Sequence, residues 1–416
     1  MNKLVHIRST SSTTLTKEIK PSMIYIPLED IKGNVYKNLT KKGQYIFKGD
    51  PLAVNKKQEL KIHSSVSGYV MNQAEKIISN GKTVKCIVVQ NDYKEKIRKE
   101  KIYKKSNYTK EEFINSLKEN GIVGLSGSIY PTYKKYQIDN IKYLLINAVE
   151  CEPYVSCDKS VISNYVEEIL ETIDNIQEIM NIPKAIIVIK KTDISSYKLL
   201  FKYIGTYPNI EIYQTRDIYP NGWERILIMN TLGITYDKYP SEKGIIVNNV
   251  STIYAIYEML KYNKPLTERI ITISGPGIKN KTNIKVKIGT PASDIIKEIG
   301  YKNIKNPLFI IGGLLNGNSL PTDDVVITKD VNSLFIIENN FEKSRPCIKC
   351  GKCMEVCPVN ISPVLIMENN NNIKNLERLK PNKCIECGLC SYICPSKIEV
   401  REFVRSSKEK VNKDGV

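Results

Sequence analysis

Short apolar runs broken by glycine turns fill the early chain: Ile24-Tyr-Ile-Pro-Leu, then Lys42-Gly43-Gln-Tyr-Ile-Phe-Lys48-Gly49-Asp50-Pro-Leu, then Ile62-His63-Ser-Ser-Val-Ser67-Gly68-Tyr-Val. Such runs predict an all-β unit over residues 1–90. Residues 91–110 are charged and Lys-rich and read as a linker. From 111 to 265 the period changes. Glu111-Glu-Phe-Ile-Asn-Ser-Leu opens a helix, and Ile162 to Met180 carries apolar residues at helical spacing. Tyr143-Leu-Leu-Ile-Asn and Ala185-Ile-Ile-Val-Ile are continuous apolar runs that suit buried strands, so helix and strand alternate and a mostly parallel α/β sheet is expected. Residues 266–338 return to strands, from Arg269-Ile-Ile-Thr-Ile-Ser-Gly through Ile284-Lys-Val-Lys-Ile-Gly-Thr to Phe309-Ile-Ile-Gly312-Gly313, and suggest a small β-grasp. Residues 339–416 form a last, cysteine-rich unit. The fold class is thus multidomain α/β plus β.

Composition alters this picture little. Hydrophobic residues make up 41% and charged residues 25% of 416, ordinary globular usage, and no apolar run is long enough to cross a bilayer. The first residues lack an apolar core segment and a small-residue cleavage site, so no secretory signal is expected and a cytoplasmic location is. The net charge of +18 is spread along the whole chain without basic–aromatic interleaving, which argues against nucleic-acid binding. In the all-β unit the turn Lys48-Gly49-Asp50 followed by Ile62-His63-Ser resembles the barrel-sandwich hybrid of biotinyl and lipoyl domains. No lysine sits in the hairpin triplet those domains modify. Lys56 and Lys57 therefore read as solvated turn residues, and His63 as a packing residue.

The cysteines carry the most specific chemistry. Eight of the 11 fall into two runs, Cys347-Ile-Lys-Cys350-Gly-Lys-Cys353-Met-Glu-Val-Cys357-Pro358 and Cys384-Ile-Glu-Cys387-Gly-Leu-Cys390-Ser-Tyr-Ile-Cys394-Pro395. Each reads C-x2-C-x2-C-x3-C-P, the spacing of two-cluster ferredoxins, in which the fourth cysteine of each run ligates the other cluster. Two 4Fe–4S clusters are expected: one on Cys347, Cys350, Cys353 and Cys394, the other on Cys384, Cys387, Cys390 and Cys357. Gly351 and Gly388 suit a backbone wrapped closely round each cluster. Zinc usually takes paired C-x2-C units, and disulfides are disfavoured in a reducing compartment. Cys86 reads as a small buried hydrophobe and Cys151 as a buried inert thiol, and the sequence assigns no role to Cys157.

A second candidate site lies in the α/β unit. Gly121-Ile-Val-Gly124-Leu-Ser126-Gly127-Ser128-Ile-Tyr130-Pro131-Thr132 is a Gly-rich turn whose backbone can approach a phosphate or a flat ring. A strand then delivers Asn147-Ala-Val-Glu150-Cys151-Glu152-Pro153-Tyr154 at its C-terminal end, where open α/β sheets place ligands and where acids and amides grip ribose or ribityl hydroxyls.

With these residues in view the chain resembles the RnfC family of the Rnf electron transport complex, the ion-translocating ferredoxin:NAD oxidoreductase. The resemblance runs nearly end to end. It takes in the barrel-sandwich segment, the Gly-rich turn, Asn147 to Asp158, Tyr219 to Glu224, Asn249 to Thr252, the β-grasp, which is SLBB-like, and both cysteine runs. The central unit is similar to the flavin- and NADH-binding subunit of respiratory complex I, which implies Gly124, Gly127, Asn147, Glu150, Glu152, Glu224 and Asn249 as FMN or NADH contacts. The chain departs from the family's usual pattern at Ser126 to Thr132, at Trp223 and in the early segment His6-Ile-Arg-Ser-Thr-Ser. By this resemblance NADH reduces a bound FMN, which splits the electron pair between the clusters, because nicotinamide exchanges two electrons and each cluster one. The expected place is the cytoplasmic face of the cell membrane, with membrane subunits and ferredoxin-like subunits as partners. Two other readings stay open: a soluble donor like the protein that accompanies clostridial proline reductase, and a flavin-free iron–sulfur relay or scaffold.

Overall fold

The computed structural model describes residues 15–16, 19–98, 107–340 and 342–414. At its centre lies a four-stranded sheet of β1 (Tyr143–Asn147), β2 (Lys184–Lys190), β3 (Ile210–Thr215) and β4 (Ile245–Asn249). All neighbours pair in parallel, in the order β3-β2-β1-β4. β1, β2 and β4 are nearly unbroken apolar runs because a parallel sheet is covered on both faces. Leu144, Ile146, Ile187 and Ile189 fill one side, while Leu145, Ile186 and Val188 fill the other with Leu227 and Ile228.

The helices around this sheet start where the sequence offers caps. α1 (Lys110–Glu119) begins with a reciprocal capping box, Thr109 accepting from the Glu112 amide and Glu112 accepting from the Thr109 amide. α2 (Cys157–Met180) is bent at Tyr165 and ends on Asn181 in the left-handed region. α3 (Ile194–Tyr203), α4 (Glu224–Leu232) and α5 (Val250–Tyr262) complete the layers, and α2 packs along α5.

Two small sheets make the N-terminal unit. One contains Met23–Pro27, Thr83–Asn91, Gly68–Val70, Tyr45–Ile46 and Ala74–Ile77, and the other Lys37–Asn38, Pro51–Asn55 and Leu60–His63. At Gly68 a Cβ would fall 1.7 Å from the Gln90 carbonyl oxygen, so only glycine allows this pairing. His63 is buried and Lys56 and Lys57 are exposed, each as the sequence suggests.

A six-stranded sheet follows, ordered Leu15–Thr16, Thr282–Lys287, Glu268–Ser274, Ser333–Glu338, Pro307–Ile311 and Asn318–Leu320. Its edge strand thus comes from the first residues of the chain, which the apolar pattern assigns to the N-terminal unit. The two units also clasp through Tyr25 N–H on the Gly289 carbonyl and Ser65 Oγ on the Ile288 carbonyl.

The segment read as a linker is anchored over residues 91–98. Arg98 makes a two-pronged bond to buried Asp50, Asp92 accepts from Tyr45 and Ser67, and Glu95 pairs with Lys48 and fully buried Lys287. Its two acids are answered by side chains of the folded units while Lys94 and Lys96 stay exposed, which a charge count alone does not reveal. Residues 99–106 of the linker and His6 to Ser11 lie outside the described residues.

The C-terminal unit repeats itself. Lys349, Gly351 and Asn360 have positive φ, and so do Glu386, Gly388 and Lys397, each 37 positions further on. Short helices Lys352–Glu355 and Leu389–Tyr392 keep the same offset, and Val400–Asp414 packs over the module.

Candidate functional site

The order β3-β2-β1-β4 reverses direction between β1 and β4, and open α/β sheets leave a ligand crevice at such a switch point. Asn147 and Asn249 end these two strands as register partners. The Asn147 side chain donates to the Gly222 carbonyl (2.7 Å) and accepts from Val149 N–H (3.0 Å). Asn249 caps α5 through Ser251 N–H (2.9 Å) and donates to Asp158 (2.6 Å).

Glu150 sits at the N-terminus of α2, where Ser156 provides no side-chain cap. Its carboxylate accepts from Asp158 N–H at 3.0 Å and Lys159 N–H at 3.4 Å, and from the Cys157 thiol at 3.2 Å. A carboxylate at this end of a helix is favoured by the unpaired amides and the helix dipole. Burial outweighs that help. Together with the adjacent Asp158 charge it pushes Glu150 up to about 7, and Asp158 is raised as well despite hydrogen bonds from Ser251 and Asn249. Burial also holds the Cys157 thiol well above its usual range.

The Gly-rich turn borders the same crevice. Gly124 N–H bonds to the Tyr130 carbonyl, Leu125 N–H to Thr252 Oγ1 at the start of α5, and Gly127 has φ +100°. From beneath, buried Arg269 donates to the carbonyls of Leu125 and Lys329, and buried Lys329 donates to the Gly121 carbonyl. Burial brings Lys329 down to about 7.

Lys135 lies against β4 beside this turn. Its Nζ donates to the Val247 carbonyl on β4 and lies 3.8 Å from Glu224. Its side chain is 20% exposed, and burial lowers its proton affinity with Glu224 as the one compensating charge. Asn248 Oδ1, near the end of β4, and Thr132 Oγ1, at the start of the short helix Thr132–Lys135, are buried with no hydrogen-bond partner among the described residues. A largely buried cation, two orphaned polar atoms and a Gly-rich turn fit a phosphorylated polyol such as FMN. Sequence reasoning misses Lys135, Asn248 and Asp158 although each adjoins a residue it selects: Lys135 is the third residue after Thr132, Asn248 precedes Asn249, and Asp158 ends the acidic motif.

Glu152 is placed elsewhere. It points away from the helix terminus into a junction, accepting from Leu315 N–H (3.0 Å) and the Tyr219 hydroxyl (3.2 Å), and burial pushes it up to about 7. Trp223 packs at the same junction with Tyr219, Cys387 and Leu389. Glu224, the first residue of α4, faces Lys135 and Tyr236 instead.

In the C-terminal unit Cys357 joins Cys384, Cys387 and Cys390 around one cavity, closed by Pro358, Val359, Ile361 and Leu389. Lys349 N–H points at Cys347 Sγ (3.4 Å), and Glu386 N–H at Cys384 Sγ (3.3 Å), the same contact one repeat later. Burial pushes the Cys387 and Cys390 thiols up to about 12, so they become thiolates only against a strong positive charge such as cluster iron. Among the described residues no group of His, Cys, Asp or Glu is drawn together tightly enough for a single metal ion. A tetrahedral zinc would need thiolates about 3.8 Å apart, whereas the corners of a cubane stand further from one another. Cys86 is fully buried in its strand.

Three family models match the chain: the RnfC barrel sandwich hybrid domain over residues 3–94, the Nuo51 FMN-binding domain over 117–258, and a 4Fe–4S dicluster domain over 346–398. The chain therefore carries domains built for FMN and for two iron–sulfur clusters. The RnfC protein of the ion-translocating oxidoreductase complex of Pasteurella multocida is 29% identical over 377 residues, 86% of this chain and 45% of that protein. Its counterpart in Haemophilus influenzae is 30% identical over 351 residues, 82% and 54% of the two chains, and that of Vibrio cholerae 30% over 359 residues, 82% and 46%. The chain spans about half the length of the curated relatives it matches. Among solved structures, NAD+-reducing [NiFe]-hydrogenase in the H2-reduced state shares the fold with a TM-score of 0.50 at 15% identity, over 67% of this chain and 52% of that one.

Proposed function

The chain is a relative of the RnfC proteins of ion-translocating oxidoreductase complexes along most of its length, and we propose that it is the peripheral electron-transfer subunit of such a complex, linking NADH to two 4Fe–4S clusters. The observation that carries this reading is the junction of Glu152, Tyr219 and Cys387, which joins the FMN-binding unit to the dicluster unit inside one chain. FMN, when bound, supplies the conversion between the two-electron exchange of nicotinamide and the one-electron exchange of each cluster. Lys135 and the loop amides of Ser126 and Gly127 would hold its anionic part, Asn248 and Thr132 would take its hydroxyls, and Asn147 and Asn249 fix the two strand ends against each other. Glu150 and Asp158 lie beside the crevice, the proton affinity of both raised by burial.

Cys384, Cys387, Cys390 and Cys357 are assigned to one cluster because they share a cavity, and Cys347, Cys350, Cys353 and Cys394 to the other. Residues 266–338 are read as a β-grasp, SLBB-like unit, on the strength of a mixed sheet crossed by the helix Ala292–Ile299. Among the described residues no helix is long and apolar enough to cross a membrane, so contact with the membrane is assigned to partner subunits. Iron and acid-released flavin, counted on the purified chain, test the cofactor set. About eight iron atoms and one FMN per chain are expected; iron without FMN would sink the NADH reading and leave a relay.

A further inference from the structure

The two cysteine runs are seated differently. Cys350 of the first run is exposed, and Ile348 beside it is 68% exposed. In the second run Cys387 and Leu389 are buried in an apolar cluster with Tyr219, flanked by Cys151, Trp223 and Leu315.

Polar contacts tie this cluster together from three units. The Tyr219 hydroxyl, in the loop after β3, lies 2.6 Å from the Cys387 carbonyl oxygen and 3.2 Å from Glu152 Oε1, so its single proton is shared by two acceptors with the shorter contact to Cys387. The other Glu152 oxygen accepts from Leu315 N–H, and the Leu315 carbonyl accepts from Arg401 of the C-terminal helix (3.1 Å). Close approach leaves no slack. A Cβ at Gly388 would fall 2.3 Å from the Leu315 carbonyl oxygen, and one at Gly313 would fall 2.2 Å from the Glu152 carboxyl carbon.

A tyrosine that served packing alone would need one acceptor for its hydroxyl. Tyr219 instead spans a carboxylate of the α/β unit and the backbone of a cluster-ligand loop. We propose that Tyr219, held by Glu152, is a positioning residue that seats the second cysteine run against the α/β unit, which makes the cluster on Cys384, Cys387, Cys390 and Cys357 the one that exchanges electrons with the flavin unit. The exchange moves one electron from one centre, which is oxidised, to the other, which is reduced, with no bond made or broken. The identity of the electron source rests on the function proposed above, whereas the seating does not.

Hydrogen–deuterium exchange on the iron-replete, full-length chain reads the seating directly. In Tyr219→Phe, exchange through local opening of residues 384–394 is expected to rise about three- to tenfold, the worth of one buried hydrogen bond, while residues 347–357 stay as in the unsubstituted chain. Glu152→Gln leaves the Tyr219–Cys387 bond in place and is expected to move the same peptides in the same direction by less. Where Tyr219→Phe loses iron, Glu152→Gln decides. Unchanged exchange over 384–394 in both iron-replete variants, or an equal rise in both runs, overturns the proposal. If NADH fails to reduce the clusters of the unsubstituted chain, the function reading falls, and the exchange data still decide whether Tyr219 seats the loop.

Discussion

The Asn249 side-chain amide donates to the Asp158 carboxylate at 2.6 Å, and so joins the N-cap of α5 to the first turn of α2 across the mouth of the sheet. Replacing Asn249 by alanine removes this bond and the cap on Ser251 together. We expect a loss of about 1–2 kcal/mol of stability and weaker FMN retention. Thermal unfolding and a fluorescence titration with FMN check both, and an unchanged FMN affinity would place the cofactor away from this strand end.

Glu150 and Asp158 are carboxyls whose proton affinity is raised by burial, and at Glu150 by the adjacent Asp158 charge as well. The folded chain then keeps a proton that the unfolded chain has lost, so stability falls as pH rises from about 4.5 toward about 7 and stays lower above it. Glu150→Gln removes one of the two charges and is expected to flatten that fall. Apparent melting temperatures of both proteins at pH 5 and pH 8 measure it; equal falls in both would show that the Glu150 charge is compensated in the folded state.

Glu268 behaves oppositely. Buried among Lys264, Lys285 and Lys48, it is held down to about 2, the lysine charges outweighing its burial. Its stabilisation is present above the ordinary carboxyl range near 4.5 and is lost as pH falls from there through about 2. The difference is worth about 3 kcal/mol at ~1.4 kcal/mol per tenfold change in proton affinity. Glu268→Gln should therefore lower stability at pH 7 and show a shallower acid transition, followed by circular dichroism between pH 5 and pH 2. An unaltered acid transition would assign that transition to other carboxylates.

If the second cysteine run is the one that meets the flavin unit, serine substitutions divide the clusters by position. Cys350→Ser should leave NADH-driven reduction of the remaining cluster intact. Cys387→Ser should prevent NADH from reducing the cluster that remains, while dithionite still reduces it. Electron paramagnetic resonance of both variants distinguishes the two cases, and NADH reduction in Cys387→Ser would reverse the order of the centres.

Much of this architecture is written in local pattern. Unbroken apolar runs such as Tyr143–Asn147 and Lys184–Lys190 announce a sheet covered on both faces, and the cysteine spacing announces two repeats because ligation fixes it residue by residue. What local pattern does not encode is which distant group answers a polar side chain. Glu152 reads as a site carboxylate from its place at a strand end, yet its partners Tyr219 and Leu315 are 67 and 163 positions away. Lys135 looks like one lysine of a basic stretch until β4 and Glu224 fold around it. Leu15 and Thr16 are too short a run to signal a strand; Thr282–Lys287 makes them one.

The most direct test of the proposed electron path is an anaerobic NADH titration of the iron- and flavin-replete chain followed by visible absorbance. If electrons take this path, stoichiometric NADH bleaches both the flavin and the iron–sulfur absorbance. Flavin and clusters that are present yet unmoved by NADH, while dithionite bleaches them, would refute it.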